Sequence, residues 1–395
     1  MTRTLITDTS RLPGINPARE MTTKYETIDV DRGKPGSVLK IFSWRIVLSL
    51  VFISQILQGC ASVPALWGDS ALPEGNLPFW ATDTPTPTII PTTTATFTPS
   101  PTFTPEFPPT ITLTPSPSES IQRVIIITFD GMRADAVEAV PMTNLMALMQ
   151  AGAYTLKART INYAVTLPAH ASMLSGMCQS KHGVDWDVPT YYKGYSKGVD
   201  IYDLAHAAGL RTVMIVNKEK MRQLAEPETT DVYKLVYGIE STIMNTAIEQ
   251  ISSGFDLMFI HFGSADDRGH KYGWMSGTQW KALRNIDATI PQLFAALDQY
   301  GIRDSTLLVI TSDHGGHDDT HVGNRIEDLL IPWVAYGPGV QPKQLTNPVS
   351  IMDTASTVAY ALELPIQPEW DGLPVYEAFG LPSSIVHDEN LKICK

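Results

Sequence analysis

Cysteine is scarce in this chain. Cys60, Cys178 and Cys394 are the only three in 395 residues, too few and too scattered for a disulfide scaffold or a cysteine zinc site. A basic excess is also missing: 29 lysines and arginines stand against 41 acidic residues, a formal charge of −12. That balance argues against a general nucleic-acid groove, which needs a positive face. Charged residues make up 18% of the chain and apolar residues 43%, as in a globular protein carrying an uncharged polar segment. The length allows one large domain or two ordinary ones.

Three regions precede the domain. Residues 1–37 are polar and without a clear period. Residues 38–60 place Lys40 and Arg45 before an apolar run from Ile46 to Leu57 and close on Leu-Gln-Gly-Cys. Basic, apolar and small residues in that order read as an export signal. The ending resembles a bacterial lipobox, with Cys60 as the lipidated first residue of the mature protein; an uncleaved anchor helix, a little short for a bilayer span, is the alternative. Either way the domain is expected outside the cytoplasm, tethered to a membrane. Residues 61–120 are dense in threonine and proline and cannot form a core. Extended, they reach on the order of 100 Å.

The texture changes at Ile121. "VIIITF", "RTVMIV", "FDLMFIHF", "STLLVITS" and "IPWVAYG" have strand length, and helical segments lie between them, including Ser241–Ser252, Thr278–Tyr300 and Met352–Leu362. Apolar strands alternating with helices predict a mostly parallel sheet covered on both faces, an α/β/α sandwich over residues 121–395. In such sheets ligands sit beyond the carboxyl ends of the strands. The residues there are polar in a consistent way. Asp130-Gly131 follows the first strand, "GSADDRGHKYGW" follows "FDLMFIHF", and "DHGGHDDTH" follows "STLLVITS". His170, His182, His261, His270, His314, His317 and His321, seven of nine histidines, lie in or beside these stretches and a segment around Thr166.

Carboxylates and imidazoles without thiolates suit zinc and similar divalent ions. Asp266 and His270 are expected on one side of a turn eased by Gly269, and Asp313 and His314 before a sharp turn at Gly315-Gly316. The ligands outnumber the needs of one four-coordinate ion, and paired ions are the arrangement that clamps attacking and leaving oxygens in phosphoryl transfer. In "NYAVTLPAHASMLSG", Pro168 sits in the first turn of a helix and Thr166 where an N-cap belongs. Two roles stand for Thr166, helix cap or nucleophile. A threonine hydroxyl needs a metal or base to lower its pKa, and an ion on Asp130, Asp313 and His314 supplies one. Cys178 and Cys394 are either paired or free buried thiols.

"FDGMRAD", "TLPAHASMLSG", "DDRGHKYG" and "TSDHGG" together resemble the alkaline phosphatase superfamily, in particular its nucleotide pyrophosphatase/phosphodiesterase branch. The resemblance implies two zinc ions. One is held by Asp130, Thr166, Asp313 and His314; the other by Asp266, His270 and a further histidine, His321 with His317 as competitor. It also implies a phosphothreonine intermediate. The branch has an asparagine 21 residues after the nucleophile, where this chain has Asp187, an anion that would repel phosphate. Leu167 and His261 stand where nucleotide-cleaving members stack a base between aromatics, so these two substrate-site positions are not expected to stack one. The expected activity is a metal-dependent phosphodiesterase or pyrophosphatase acting on a small phosphate ester. A phosphomonoesterase, or a surface binding module that lost turnover, are the alternatives.

Overall fold

The computed structural model describes residues 121–323, 325–383, 385–388 and 394. The polar segment 1–37, the signal-like segment 38–60 with Cys60 and the Thr/Pro-rich stretch 61–120 lie outside the described residues. Among those described, no helix is long and apolar enough to cross a membrane.

Among the described residues eight strands form one sheet: β1 (Arg123–Phe129), β2 (Ala153–Arg159), β3 (Thr212–Val216), β4 (Val232–Leu235), β5 (Leu257–Phe262), β6 (Thr306–Thr311), β7 (Leu330–Tyr336) and β8 (Lys343–Gln344). Their order is β4-β3-β5-β1-β6-β7-β2-β8. β7 runs antiparallel to both its neighbours, and the other pairings are parallel. The central strands are apolar at nearly every position because helices cover both faces. The period of two is nonetheless visible in where the side chains go. Val124 and Ile126 of β1, with Leu257 and Phe259 of β5, enter one core. Ile125, Ile127 and Phe129, with Met258, Ile260 and Phe262, enter the other.

The longer helices are α1 (Thr143–Ala151), α2 (Thr166–Ser175), α3 (Ile201–Ala207), α4 (Glu240–Ser253), α5 (Ser264–Tyr272), α6 (Gly277–Asp287), α7 (Ile290–Gln299) and α8 (Asp353–Ala361). Residues of α2, α3 and α8 fill the first core, and residues of α1, α4, α6 and α7 the second. The α/β/α sandwich expected from the sequence is therefore the fold. The single helix expected over Thr278–Tyr300 is two, α6 and α7, because Pro291 lies in the first turn of α7, where its missing N–H is harmless but could not continue α6. Cys178 and Cys394 are joined as a disulfide.

The topology places the carboxyl ends of β3, β5, β1 and β6 side by side at one rim of the sheet. That rim gathers polar stretches far apart in the sequence, as when Ser312 Oγ donates at 2.8 Å to Phe129 O, 183 residues away.

Candidate active site

The chain leaves β1 at Asp130, β6 at Asp313 and His314, and β5 into α5, which carries Asp266 and His270. Among the described residues two groups of potential metal ligands result, Asp130 with Asp313 and His314, and Asp266 with His270 and His321. Asp266 and His270 share a face because they are four apart on α5, not because of a turn. The glycines at 269 and 316 serve a different purpose from the one expected. A Cβ on Gly269 would come 2.7 Å from Trp274 Cδ2, and one on Gly316 2.1 Å from Trp274 Cε2. The indole needs that space, and its Nε1 donates to Gly131 O at 2.9 Å. Trp274 thus fixes the loops after β1, β5 and β6 against one another.

Each ligand histidine has one nitrogen held by a backbone carbonyl. His314 Nδ1 lies 2.9 Å from Gly315 O, His321 Nδ1 2.6 Å from Ala164 O, and His270 Nδ1 3.0 Å from Asp319 O. A carbonyl only accepts, so these nitrogens carry the hydrogen and each Nε2 is the ring nitrogen left for the site. His317 is bound elsewhere, its Nδ1 2.6 Å from Asp328 Oδ1. The structure therefore brings His321, and not His317, to Asp266 and His270.

The carboxylates are divided in the same way. Asp313 Oδ1 accepts from Gly131 N at 3.1 Å, and Asp130 Oδ2 receives both His261 Nε2 at 2.9 Å and Lys218 Nζ at 2.6 Å. Asp266 Oδ2 accepts from the same Lys218 Nζ at 2.6 Å. Of the eleven buried side-chain atoms without a hydrogen-bond partner among the described residues, five are Asp130 Oδ1, Asp266 Oδ1, Asp313 Oδ2, His314 Nε2 and Thr166 Oγ1. Orphaned buried polar atoms are rare and costly. Four of these five belong to the two clustered ligand groups and the fifth to the neighbouring helix start, and all are of types that ligate cations, which fits a metal site.

Electrostatics follow from the crowding. Burial works against ionising Asp130, but Lys218 and the His261 hydrogen bond outweigh it and hold the carboxyl well below its usual range. Asp266 is lowered too; burial and the Asp130 charge oppose this, and Lys218 prevails. Asp313 is pushed up to about 8 by burial and then by Asp130. Burial works against charging Lys218, yet Asp130 and Asp266 hold its ammonium well above the usual lysine range. Burial, followed by the His314 charge, drives His321 down to about 3, which keeps its imidazole neutral.

The Thr166 segment is tied to both groups. His170 Nδ1 lies 2.8 Å from Thr166 O and 3.5 Å from Asp313 Oδ2, and the Ala164 carbonyl holds His321. Thr166 is the first residue of α2, and Val165, in extended conformation, is its N-cap. No side-chain hydrogen bond from the capping residue is present. The cap comes instead from Asp187, whose Oδ1 accepts the Leu167 N–H at 2.8 Å, while Lys220 Nζ lies 2.8 Å from its Oδ2. The carboxylate expected to repel phosphate is thus neutralised and turned onto the helix end.

Two expected substrate contacts are placed otherwise. The Leu167 side chain is fully buried in the core. His261 is also fully buried, within β5, bridging Asn217 Oδ1 and Asp130 Oδ2. A side chain without exposed surface cannot reach a substrate, so neither residue offers a base a platform. Sequence reasoning missed Asn217, Lys218 and Lys220. The signal was available, since Asn217 and Lys218 directly follow "RTVMIV" as Asp130 follows "VIIITF".

Residues 124–331 match a family model described as type I phosphodiesterase/nucleotide pyrophosphatase. The mouse ectonucleotide pyrophosphatase/phosphodiesterase family member 7 is 24% identical over 247 residues, covering 54% of this chain and 54% of that protein. The Xenopus laevis bis(5'-adenosyl)-triphosphatase enpp4 is 23% identical over 216 residues, covering 50% of this chain and 48% of that protein. The chain thus spans about half the length of these curated relatives. Among solved structures, murine ectonucleotide pyrophosphatase/phosphodiesterase 5 aligns with a TM-score of 0.54 at 14% identity, over 66% of this chain and all of that one (100%). A 2-O GAG sulfatase aligns at 0.57 and 12% identity, over 68% of this chain and 76% of that one. At such identities the likeness is one of fold.

Proposed function

The chain belongs to the type I phosphodiesterase/nucleotide pyrophosphatase family, and on that premise we propose that it hydrolyses phosphodiester or phosphoanhydride bonds of small phosphate esters, with Thr166 as nucleophile. The observation that carries this reading is the set of five buried, unpartnered atoms, Thr166 Oγ1 among them. Asp130, Asp313 and His314 would hold one divalent ion together with Thr166, and Asp266, His270 and His321 the other. Zinc suits these donors. Such ions, when bound, supply the positive charge that lowers a hydroxyl pKa and steadies a leaving oxygen.

The residues of the chain do the rest. His170 Nδ1, 2.8 Å from the Thr166 carbonyl, fixes the start of α2, which carries the Thr166 hydroxyl. The ionised oxygen forms a bond to phosphorus as the bond to the opposite ester oxygen breaks; water then attacks the phosphothreonine, the phosphate product departs, and the Thr166 oxygen leaves with a proton from that water. The N-terminus of α2 adds a partial positive charge beside the phosphoryl group. Lys220 offsets the charge of Asp187 at that end, so the feature that most favoured an inactive binding module has a local explanation.

Export and tethering through Cys60 belong to the same proposal. They rest on the basic-apolar-small order of residues 38–60 and agree with a disulfide between Cys178 and Cys394, a bond characteristic of oxidising compartments. Residues 61–120 would then be a spacer and residues 121–395 the hydrolase domain. Loss of membrane partitioning in Cys60→Ser tests the tether.

Purified protein assayed on bis-p-nitrophenyl phosphate and p-nitrophenyl phosphate tests the activity, with Thr166→Ala as control. Preference for the diester supports the proposal, and preference for the monoester supports a phosphomonoesterase. Zinc uptake without hydrolysis of either would make the domain a binding module.

A further inference from the structure

Lys218, which belongs to neither group of candidate ligands, bonds a carboxylate in each. It stands at the end of β3, next to β5 in the sheet, and its side chain is largely buried. Its ammonium lies 2.6 Å from Asp130 Oδ2 and 2.6 Å from Asp266 Oδ2. The other oxygen of each carboxylate faces imidazoles. Asp130 Oδ1 is 3.6 Å from His314 Nε2, and Asp266 Oδ1 is 3.5 Å from His270 Nε2 and 4.0 Å from His321 Nε2. Both Oδ1 atoms are the orphaned ones. Lys218 thus bonds, in each carboxylate, the oxygen opposite the one that faces the candidate ligand histidines.

We propose that Lys218 is a positioning residue that couples the two cation sites, clamping the outer oxygens of Asp130 and Asp266 and adding one fixed positive charge for the phosphate ester. The inference rests on the two-ion reading above. Two divalent ions against the carboxylates of Asp130, Asp266 and Asp313 leave a net charge of about +1, which an ionised Thr166 cancels. Lys218 restores one unit, matching the single negative charge of a phosphodiester. The same charge opposes the ions, because like charges a few ångströms apart repel strongly in a buried site. The residue therefore exchanges metal affinity for substrate affinity.

That exchange distinguishes it from a scaffold residue, whose loss would weaken both. The test is zinc affinity of the metal-free full chain, by competition with a chromophoric chelator, beside kcat/KM on bis-p-nitrophenyl phosphate, for wild type, Lys218→Met and Lys218→Arg. Lys218→Met is expected to bind zinc at least about tenfold more tightly while kcat/KM falls about a hundredfold. Lys218→Arg, which keeps the charge, should hold zinc affinity near wild type and recover part of the activity. Unchanged or weaker zinc binding in Lys218→Met overturns the inference and leaves the two-ion reading standing. Wild-type protein that takes up no zinc overturns both.

Discussion

Replacing Thr166 with valine separates the roles of cap and nucleophile by the sign of a stability change. Valine keeps the shape of threonine and removes only the hydroxyl. In the structure that hydroxyl is buried, 1% exposed, and unpartnered, so folding strips it of water and returns nothing. Leaving a buried polar group unsatisfied costs about 1–3 kcal/mol. Metal-free Thr166→Val should therefore be more stable than wild type, by about 1–2 kcal/mol once imperfect packing is allowed for. A capping threonine would give the opposite result, a loss of about 0.5–2 kcal/mol. The assay is urea unfolding of chelator-treated protein followed by far-UV circular dichroism, supported by Tm, which moves about 2–4 °C per kcal/mol in a domain of this size. The same variant should lose hydrolysis of bis-p-nitrophenyl phosphate. A destabilised Thr166→Val, or one that still turns over, refutes the reasoning.

Three further outcomes follow from the same geometry. Lys220→Ala leaves the Asp187 carboxylate beside Thr166 without its partner, and should lower kcat/KM for an anionic ester about tenfold, mostly through KM; adding Asp187→Asn should restore much of the loss, and failure of that rescue would show the repulsion is not the cause. His182 is buried with Nε2 2.9 Å from Ser172 Oγ, and burial lowers its pKa to about 4 from an ordinary 6.5. The unfolded chain therefore binds a proton at that site between pH 6.5 and 4 while the folded one does not, and stability falls as pH drops through this window, by up to about 3 kcal/mol. Urea midpoints at pH 7 and pH 5 should differ less in His182→Gln than in wild type. Cys178→Ser opens a link spanning 216 residues and should cost about 2–4 kcal/mol, read as a lower midpoint that reductant reproduces in wild type and does not lower further in the variant.

The strands that build the rim were legible because burial on both faces leaves an apolar run with no polar alternation to obscure it. β1, β3, β5, β6 and β7 all announce themselves this way. β2 does not: "AYTLKAR" alternates between buried and partly exposed positions, and Lys157 and Arg159 give it the look of a helix or loop. The reversed direction of β7 was not readable either, since an apolar run carries no polarity of its own. In the site, the residues after three strands were found by the strand-end rule together with their chemistry. Lys218 obeys the rule equally well, but in "NKEK" it reads as solvated charge. Its importance comes from the adjacency of β3 and β5, a tertiary fact.

Asp187 illustrates the same limit from the other side. Read alone beside a phosphate site, a carboxylate is an obstacle, and the sequence offers no reason to join it to Lys220, 33 residues away. Folding makes it a helix cap with a counter-ion. The threonine that looked like a cap is released from that duty because another side chain performs it, and its hydroxyl is left with no partner of its own. The two assignments are one observation: the N-terminus of α2 can bear a reactive hydroxyl at its first position because its capping donor is met from outside the helix. If that coupling holds, Asp187→Ala should weaken α2 locally, raising amide hydrogen exchange over residues 166–170, even with both cation sites filled.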